Sequence, residues 1–287
     1  MSRRDDPDRI VLDYGDCTLR RSDIETVAEG QWINDAVISF YYELLTSQLK
    51  SEGSEGVITC TFWQPPAVEI LCSLAKEELG PQSSPLFPSD LSKDACIVLP
   101  ISDRYDVALK DNDGGRVVGT HWSLLVVRRL DNPNEDGATR WISTHYDSSM
   151  PSRNVSAARE VSRRLQLLAG EDIGRREADV SENASLPRQE GASDCGLYPL
   201  LIADGIARHQ QALYGSDKTN FSLTAPQDLF DESIRQLTPS LVRSFRLSLY
   251  AWLLRWASEE DKGETKAASG AFEHIEQAPE HIPRHFP

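Results

Sequence analysis

Short runs of apolar residues at strand spacing occur at six places along the chain. The first two flank a Tyr-Gly pair, which is typical of a turn between neighbouring strands. The third contains no charged position, as expected of a central strand covered on both faces. The predicted strands cover 9–13, 16–19, 95–101, 121–127, 141–146 and 177–181.

Apolar residues recur at helical spacing in five other segments. Asn34 can cap the first of them, and Pro65 can open the second because proline is tolerated in the first helical turn. Gly170 is placed to end the third. The predicted helices run from Asn34 through Leu45, from Pro65 to about Gly80, from Val155 to Leu168, from Cys195 to about Gln210 and from Pro239 to about Trp256.

Together these elements predict an α+β domain with a central mixed β-sheet flanked by helices. The order of strands and helices fits a single unit over residues 1–257, without an internal repeat. From Ser258 onward the sequence is polar, aperiodic and contains several prolines. We therefore expect residues 258–287 to form a disordered tail.

Composition narrows the class of protein. The net charge of −15 argues against a nucleic-acid partner; it fits a solvated acidic surface or, less directly, a basic segment on a protein substrate. No apolar stretch reaches roughly 18 residues, and the charged N-terminus lacks a signal-like core, so we expect neither a membrane partner nor secretion. The five cysteines include no CxxC pair, which favours a reducing cytoplasm or nucleus and argues against a disulfide framework or cysteine-rich zinc site.

Of the five cysteines, Cys195 has the sequence neighbours expected of a reactive thiol. It stands in Asp-Cys-Gly where a loop meets a predicted helix, and the amides and dipole of a helix N-terminus stabilise a thiolate. Gly196 would allow a substrate backbone to approach. Free cysteines are also common as small buried side chains, a role that suits Cys72 and Cys96 better.

His121 is the preferred base among six histidines because it opens an apolar strand after a polar loop. His209 lies about 21 Å along the predicted Cys195 helix, beyond hydrogen-bond reach. His145 is two strand positions from Asp147, so those side chains would point the same way. Asp147 can orient His121, although alone it could simply cap the following turn. The remaining histidines, in the predicted tail, are His274, His281 and His285.

Four ordered motifs resemble the Ulp/sentrin-specific cysteine proteases, and most of all their deneddylase branch. The resemblance spans roughly residues 9–257. The motifs are Trp32-Ile33-Asn34-Asp35, His121-Trp122-Ser123, Tyr146-Asp147-Ser148 and Gln189 followed by Asp194-Cys195-Gly196. Glu190 and Ser193 depart from the usual pattern, which bears on substrate preference.

The resemblance implies a papain-like Ulp-type fold and cleavage after the C-terminal diglycine of a ubiquitin-like modifier. Cys195, His121, Asp147 and Gln189 would be the catalytic residues. Trp32, Trp122 and Asp35 would bind the modifier tail, although core packing for the tryptophans and helix capping for Asp35 remain open. The implied partner is the neddylation modifier, with SUMO as the alternative. A catalytically dead modifier-binding module is a further alternative. We expect a monomer that needs no cofactor and no metal.

Overall fold

A mixed sheet forms the centre of the computed structural model, which describes residues 6–51, 60–87, 91, 96–106, 119–131, 139–171, 179–215 and 234–262. The strands are β1 (Ile10–Tyr14), β2 (Cys17–Arg20), β3 (Cys60–Phe62), β4 (Cys96–Ser102), β5 (Trp122–Asp131), β6 (Thr139–Tyr146) and β7 (Val180–Glu182). The central sheet has the order β3-β4-β5-β6-β7. Its two outer pairs are parallel and its two inner pairs antiparallel, whereas β1 and β2 form a separate hairpin.

The sheet divides the apolar core in two because successive side chains of a strand point to opposite faces. Every residue of β4 is buried, as its uninterrupted apolar sequence predicts. Val98 belongs to one core, whereas its neighbours Ile97 and Leu99 belong to the other. On β5, Leu124 and Leu125 alternate in the same way.

Helices cover both faces of this sheet. They are α1 (Arg21–Glu25), α2 (Asp35–Ser51), α3 (Pro65–Ser73), α4 (Val155–Leu168), α5 (Leu197–Gly215) and α6 (Pro239–Lys262). The first core combines α2, α5 and α6 with the β1-β2 hairpin. The second core lies beneath α3 and α4. The predicted α+β class with a mixed, helix-flanked sheet is therefore confirmed.

The predicted end of α3 is wrong, and a buried arginine explains it. The sequence predicted that α3 would continue to about Gly80, but Leu74 is already extended, with φ −65° and ψ 145°. Arg164 of α4 donates from one nitrogen to the carbonyl oxygens of Leu71 and Leu74, at 3.1 and 2.7 Å. A side chain from another helix thus binds the carbonyls that a longer helix would have used internally.

The C-terminal helix extends further than the sequence predicted, since α6 reaches Lys262. The rest of the predicted tail, 263–287, lies outside the described residues, as do the polar loop 111–115 and the turn 132–137. Within the part of the chain that the structure describes, no helix is both long and apolar enough to cross a membrane.

Candidate active site

His121 and Asp147 meet at one end of the sheet because β5 and β6 are antiparallel. His121 immediately precedes β5 and Asp147 immediately follows β6, with Leu124 paired opposite Tyr146. The His121 Nε2 lies 2.6 Å from Asp147 Oδ1, and their side chains are only 2% and 3% exposed. The structure therefore brings together the two residues that the sequence singled out as base and orienting acid.

The Asp147 carboxylate also organises the turn that follows it. It accepts hydrogen bonds from the backbone N–H groups of Ser149 and Arg153, at 2.8 and 2.9 Å, and from the Ser152 hydroxyl at 3.0 Å. Burial raises the pKa of Asp147, but the hydrogen bond and charge of His121, together with those backbone amides, lower it to about 2. Asp147 thus caps its turn and contacts the histidine as an anion.

The Cys195 thiol interacts with His121 closely enough to raise the pKa of the imidazole, which links the third predicted residue to the pair. Because Nε2 faces Asp147, Nδ1 is the ring nitrogen left for the sulfur. Burial lowers the pKa of His121, whereas its hydrogen bonds with Asp147 and Cys195 raise it, to about 9. The protonated imidazolium is consequently favoured at neutral pH.

Cys195 sits in a turn just before α5 and is 3% exposed. The first bond of this turn runs from the backbone N–H of Leu197 to the carbonyl of Asp194, at 3.0 Å. The sulfur therefore stands at the N-terminal end of a long helix, where amide dipoles favour a negative charge.

Gln189 is held next to this group by Ser148. The Ser148 hydroxyl donates to Gln189 Oε1 at 2.7 Å, and the Gln189 backbone N–H donates to the Ser148 carbonyl at 3.0 Å. Gln189 Nε2 donates to the Gly191 carbonyl at 2.7 Å. A side-chain amide carries two N–H donors, so one remains for a further acceptor.

The two tryptophans have different environments. Trp32 is 50% exposed, whereas Trp122 is half-buried and donates its indole N–H to the Ile33 carbonyl at 3.0 Å. That bond ties the segment carrying Trp32 to the start of β5. The Arg104 guanidinium lies 5.6 Å from the centre of the Trp122 ring.

Asp35, at the first position of α2, already has a partner within the chain. Its Oδ2 lies 3.3 Å from Arg104, which also contacts Glu69 at 3.5 Å. The helix is capped instead by Asn34, whose Oδ1 accepts from the Val37 N–H at 3.1 Å. Asn34 is the residue that the sequence predicted as the cap. The half-exposed Asp35 carboxylate therefore faces Arg104 and solvent.

Among the competing histidines, His145 has a different hydrogen-bond partner. His145 is 1% exposed and bonds the Ser123 hydroxyl at 2.9 Å, and burial lowers its pKa to about 4. His209 lies within α5. The three C-terminal histidines are outside the described residues. Over the described ranges, no group of three or more His, Cys, Asp or Glu side chains could hold a metal ion.

Comparison with known proteins identifies the family. The chain is 30% identical over 203 residues to sentrin-specific protease 8 of Homo sapiens, covering 70% of this chain and 83% of the relative. The chain belongs to the sentrin-specific protease family. The prediction of a cysteine protease is thereby confirmed.

Two further comparisons cover more of the chain. NEDD8-specific protease 1 of Arabidopsis thaliana is 26% identical, and the match includes 90% of this chain and 98% of that protein. The solved structure of a de-sumoylating protease is 17% identical, with a TM-score of 0.48, 91% of this chain covered and 94% of that one. No family model matches the chain.

In this member of the family, two polar residues that the sequence did not single out hold His121. The Asp103 carboxylate accepts from the backbone N–H groups of Thr120 and His121, at 2.8 and 3.3 Å. Asn154 Nδ2 donates to the His121 carbonyl at 3.3 Å. The available signal was weak: Asn154 precedes a predicted helix, and Asp103 follows a predicted strand at an ordinary turn position.

Proposed function

We propose that the protein is a monomeric thiol protease that hydrolyses the bond after the C-terminal diglycine of a ubiquitin-like modifier. The observation that carries this proposal is the position of one buried imidazole, which bonds Asp147 at 2.6 Å and interacts with the Cys195 thiol. A nucleophile, a base and an orienting acid in that order are the requirements of acyl transfer by a cysteine.

The proposed reaction begins with a Cys195 thiolate and a His121 imidazolium. The sulfur adds to the carbonyl carbon of the terminal glycine and forms a tetrahedral oxyanion. His121 gives its proton to the leaving amine, the C–N bond breaks and a thioester remains. Water, deprotonated by the now neutral His121, then adds to the thioester and releases the glycine carboxylate with regeneration of the thiolate. Asp147 orients the ring and stabilises its cation throughout.

Two N–H donors are available to the oxyanion. Gln189 Nε2 keeps one hydrogen beyond the bond to Gly191, and the backbone N–H of Cys195 is adjacent to the sulfur. One such donor typically changes the rate by about 10²–10³. We expect Gln189→Ala to lower kcat by that order while the thiol still reacts with small alkylating agents.

Trp32 and Trp122 are proposed to wall the channel for the diglycine. The exposed face of Trp32 and the fixed indole of Trp122 support this assignment. Asp35 and Glu69 share the single guanidinium of Arg104, so this corner keeps a negative charge for a basic residue of the modifier tail. Asp35→Ala should then raise KM more than it lowers kcat.

The neddylation modifier is the proposed substrate. Relatives named sentrin-specific protease 8 and NEDD8-specific protease support this choice over SUMO. A cytoplasmic or nuclear site of action is proposed because all five cysteines are free, as is usual in reducing compartments. Residues 1–257 are proposed as the catalytic domain.

The test compares the purified protein on fluorogenic C-terminal derivatives of the neddylation modifier, SUMO and ubiquitin. Wild type should cleave the first with the highest kcat/KM, and Cys195→Ala and His121→Ala should abolish cleavage without abolishing modifier binding. Cys72→Ala, a change of another buried cysteine, which lies in the core beneath α3 and α4, is the matched control and should retain activity. A preference for SUMO would overturn the modifier assignment, and cleavage by Cys195→Ala would overturn the mechanism.

A further inference from the structure

Arg246 of α6 is a charged side chain that is almost completely buried, at 1% exposure. It makes five hydrogen bonds, four of them to backbone carbonyls. One nitrogen donates to Val27, Ala28 and Gln31 at 3.1, 2.9 and 3.0 Å. The other donates to the Ser193 carbonyl at 2.7 Å and to the Asp194 carboxylate at 3.1 Å.

These acceptors belong to two segments that meet at the active site. Residues 27–31 lead directly into Trp32, and residues 193–194 lead directly into Cys195. Burying a guanidinium is expensive, and an apolar side chain of similar volume often stabilises a fold equally well. The fork geometry of arginine, however, is suited to holding two segments at a fixed separation.

The geometry of the nucleophile turn connects Arg246 to the oxyanion donors. The Asp194 carbonyl accepts from the Leu197 N–H, so in a planar trans peptide the Cys195 N–H must point the opposite way. Arg246 donates to the carbonyl of the preceding residue, Ser193, and so fixes the backbone position from which the Asp194–Cys195 peptide follows.

The second donor is connected through Asp194. Its Oδ2 packs against Gly191, where an added Cβ would lie 2.8 Å from that oxygen. The Gly191 carbonyl in turn accepts the hydrogen bond that orients the Gln189 amide, at 2.7 Å. The Arg246–Asp194 ion pair is therefore connected to both donors through short chains of contacts.

We propose that Arg246 is a positioning residue that sets the two oxyanion donors and the Trp32 segment at their working separation. The proposal rests on the proposed function, because the donors have a role only if an acyl group is transferred at Cys195. Arg246 acts through backbone carbonyls and the Asp194 carboxylate, and none of its five hydrogen bonds goes to the Cys195 sulfur.

The test uses Arg246→Lys and Arg246→Met in the full chain. Lysine keeps the charge and the stem but cannot bridge both segments, so it should fold even if methionine does not. Both changes should lower kcat on the diglycine substrate by about 10- to 100-fold, the scale expected when catalytic groups are misplaced by about 1 Å. Alkylation of Cys195 by iodoacetamide should keep its rate and its pH profile, because this reaction needs no oxyanion donor.

Arg164→Met is the matched control. Arg164 is also buried, at 7% exposure, and also donates to two backbone carbonyls, but it lies in the core beneath α3 and α4. The control should lower the melting temperature and leave kcat unchanged. A purely structural role of Arg246 would make the two arginine changes behave alike.

A double-mutant cycle with Gln189→Ala gives the second readout. Since Arg246 is proposed to act partly through Gln189, the two losses in kcat should be less than additive. Folded Arg246 variants with wild-type kcat, a parallel loss of alkylation, or strict additivity would each overturn the proposal. If wild type cleaves no diglycine substrate, the proposed function fails and this proposal fails with it; if wild type is active, failure of these tests affects Arg246 alone.

Discussion

At the scale of single residues, two buried histidines near the same end of the sheet are driven toward opposite protonation states. The pKa of His121 is raised to about 9, because its bonds with Asp147 and Cys195 outweigh burial. The pKa of His145 is lowered to about 4, mainly because burial disfavours its charged form. Their bonding partners, a carboxylate and a serine hydroxyl, account for the difference.

These shifts predict opposite pH dependences of stability. A histidine whose pKa rises on folding stabilises fully below its unfolded value of 6.5, and that contribution is lost as the pH rises through 9. The free energy of unfolding of wild type relative to His121→Gln should therefore fall between pH 6.5 and 9.5, as measured by urea unfolding.

His145→Gln is the control with the opposite sign. Folding lowers the pKa of His145, so the stabilisation that this side chain provides is present above pH 6.5 and is lost as the pH falls through 4. Between pH 6.5 and 9.5 the difference in free energy of unfolding between wild type and His145→Gln should stay constant. Over the same range the difference between wild type and His121→Gln should fall. Parallel curves for the two variants would contradict the assignment of charge to His121.

The residues around the sulfur were predictable because their motifs are local in sequence, whereas their long-range contacts were not. The sequence explained Gly196 by the approach of a substrate, and the structure adds a packing reason, because an added Cβ there would lie 3.0 Å from Cβ of Ile33, a tight contact. The contact of Asp35 with Arg104 joins residues 69 positions apart. No spacing rule covers such a pair.

At the scale of elements, α6 still packs on the core near its C-terminal end at Lys262. Trp256 is 2% exposed and packs on Tyr14 and Phe40, with ring centres 5.9 and 5.5 Å away. Its indole N–H donates to Glu260 one turn later, at 3.4 Å. The final turn therefore holds the ring as well as extending the helix.

Two truncations distinguish the effect of the final turn of α6 from that of residues 263–287. A chain ending at Lys262 should match the full chain in melting temperature and turnover. A chain ending at Ala257 should lose about 1 kcal/mol with its hydrogen bond, which corresponds to about 2–4 °C in a domain of this size. Turnover at 25 °C should stay the same. A large loss on removing 263–287 would show that this segment docks on the domain.

Element length explains which parts of the fold the sequence pattern missed. The helix α1 has five residues and the strand β3 has three, both too short for a periodic signal. β3 is recognisable only by its parallel pairing with β4, which starts 36 positions later. The longer helix α4, with its regular apolar spacing, was predicted at its observed bounds.

At the scale of the whole molecule, the two cores have different relations to the chemistry. Leu201 of α5 is in the core that supports Cys195, and Leu165 of α4 is in the other. Both are fully buried, so replacing either leucine by alanine should cost about 2–5 kcal/mol. At a temperature where both variants are folded, Leu201→Ala should slow labelling of Cys195 by a modifier probe with a C-terminal electrophile, and Leu165→Ala should not.

Equal slowing in both variants would mean that the sheet transmits packing defects across its full thickness. The measurement is the labelling rate set beside the melting temperature of each variant. Because the two substitutions are chemically identical, a difference in labelling reports the position of the defect.

The bond from Arg246 to Val27 spans 219 residues, and this separation has a consequence for the timing of synthesis. Chains emerge from the ribosome N-terminus first and their units fold in that order. Cys195 is thus translated before the guanidinium that joins the preceding residues, Ser193 and Asp194, to residues 27–31. On the proposed role of Arg246, the nascent chain carries the Cys195 thiol before the segments around it are joined, and we expect proteolytic activity only after α6 has been made.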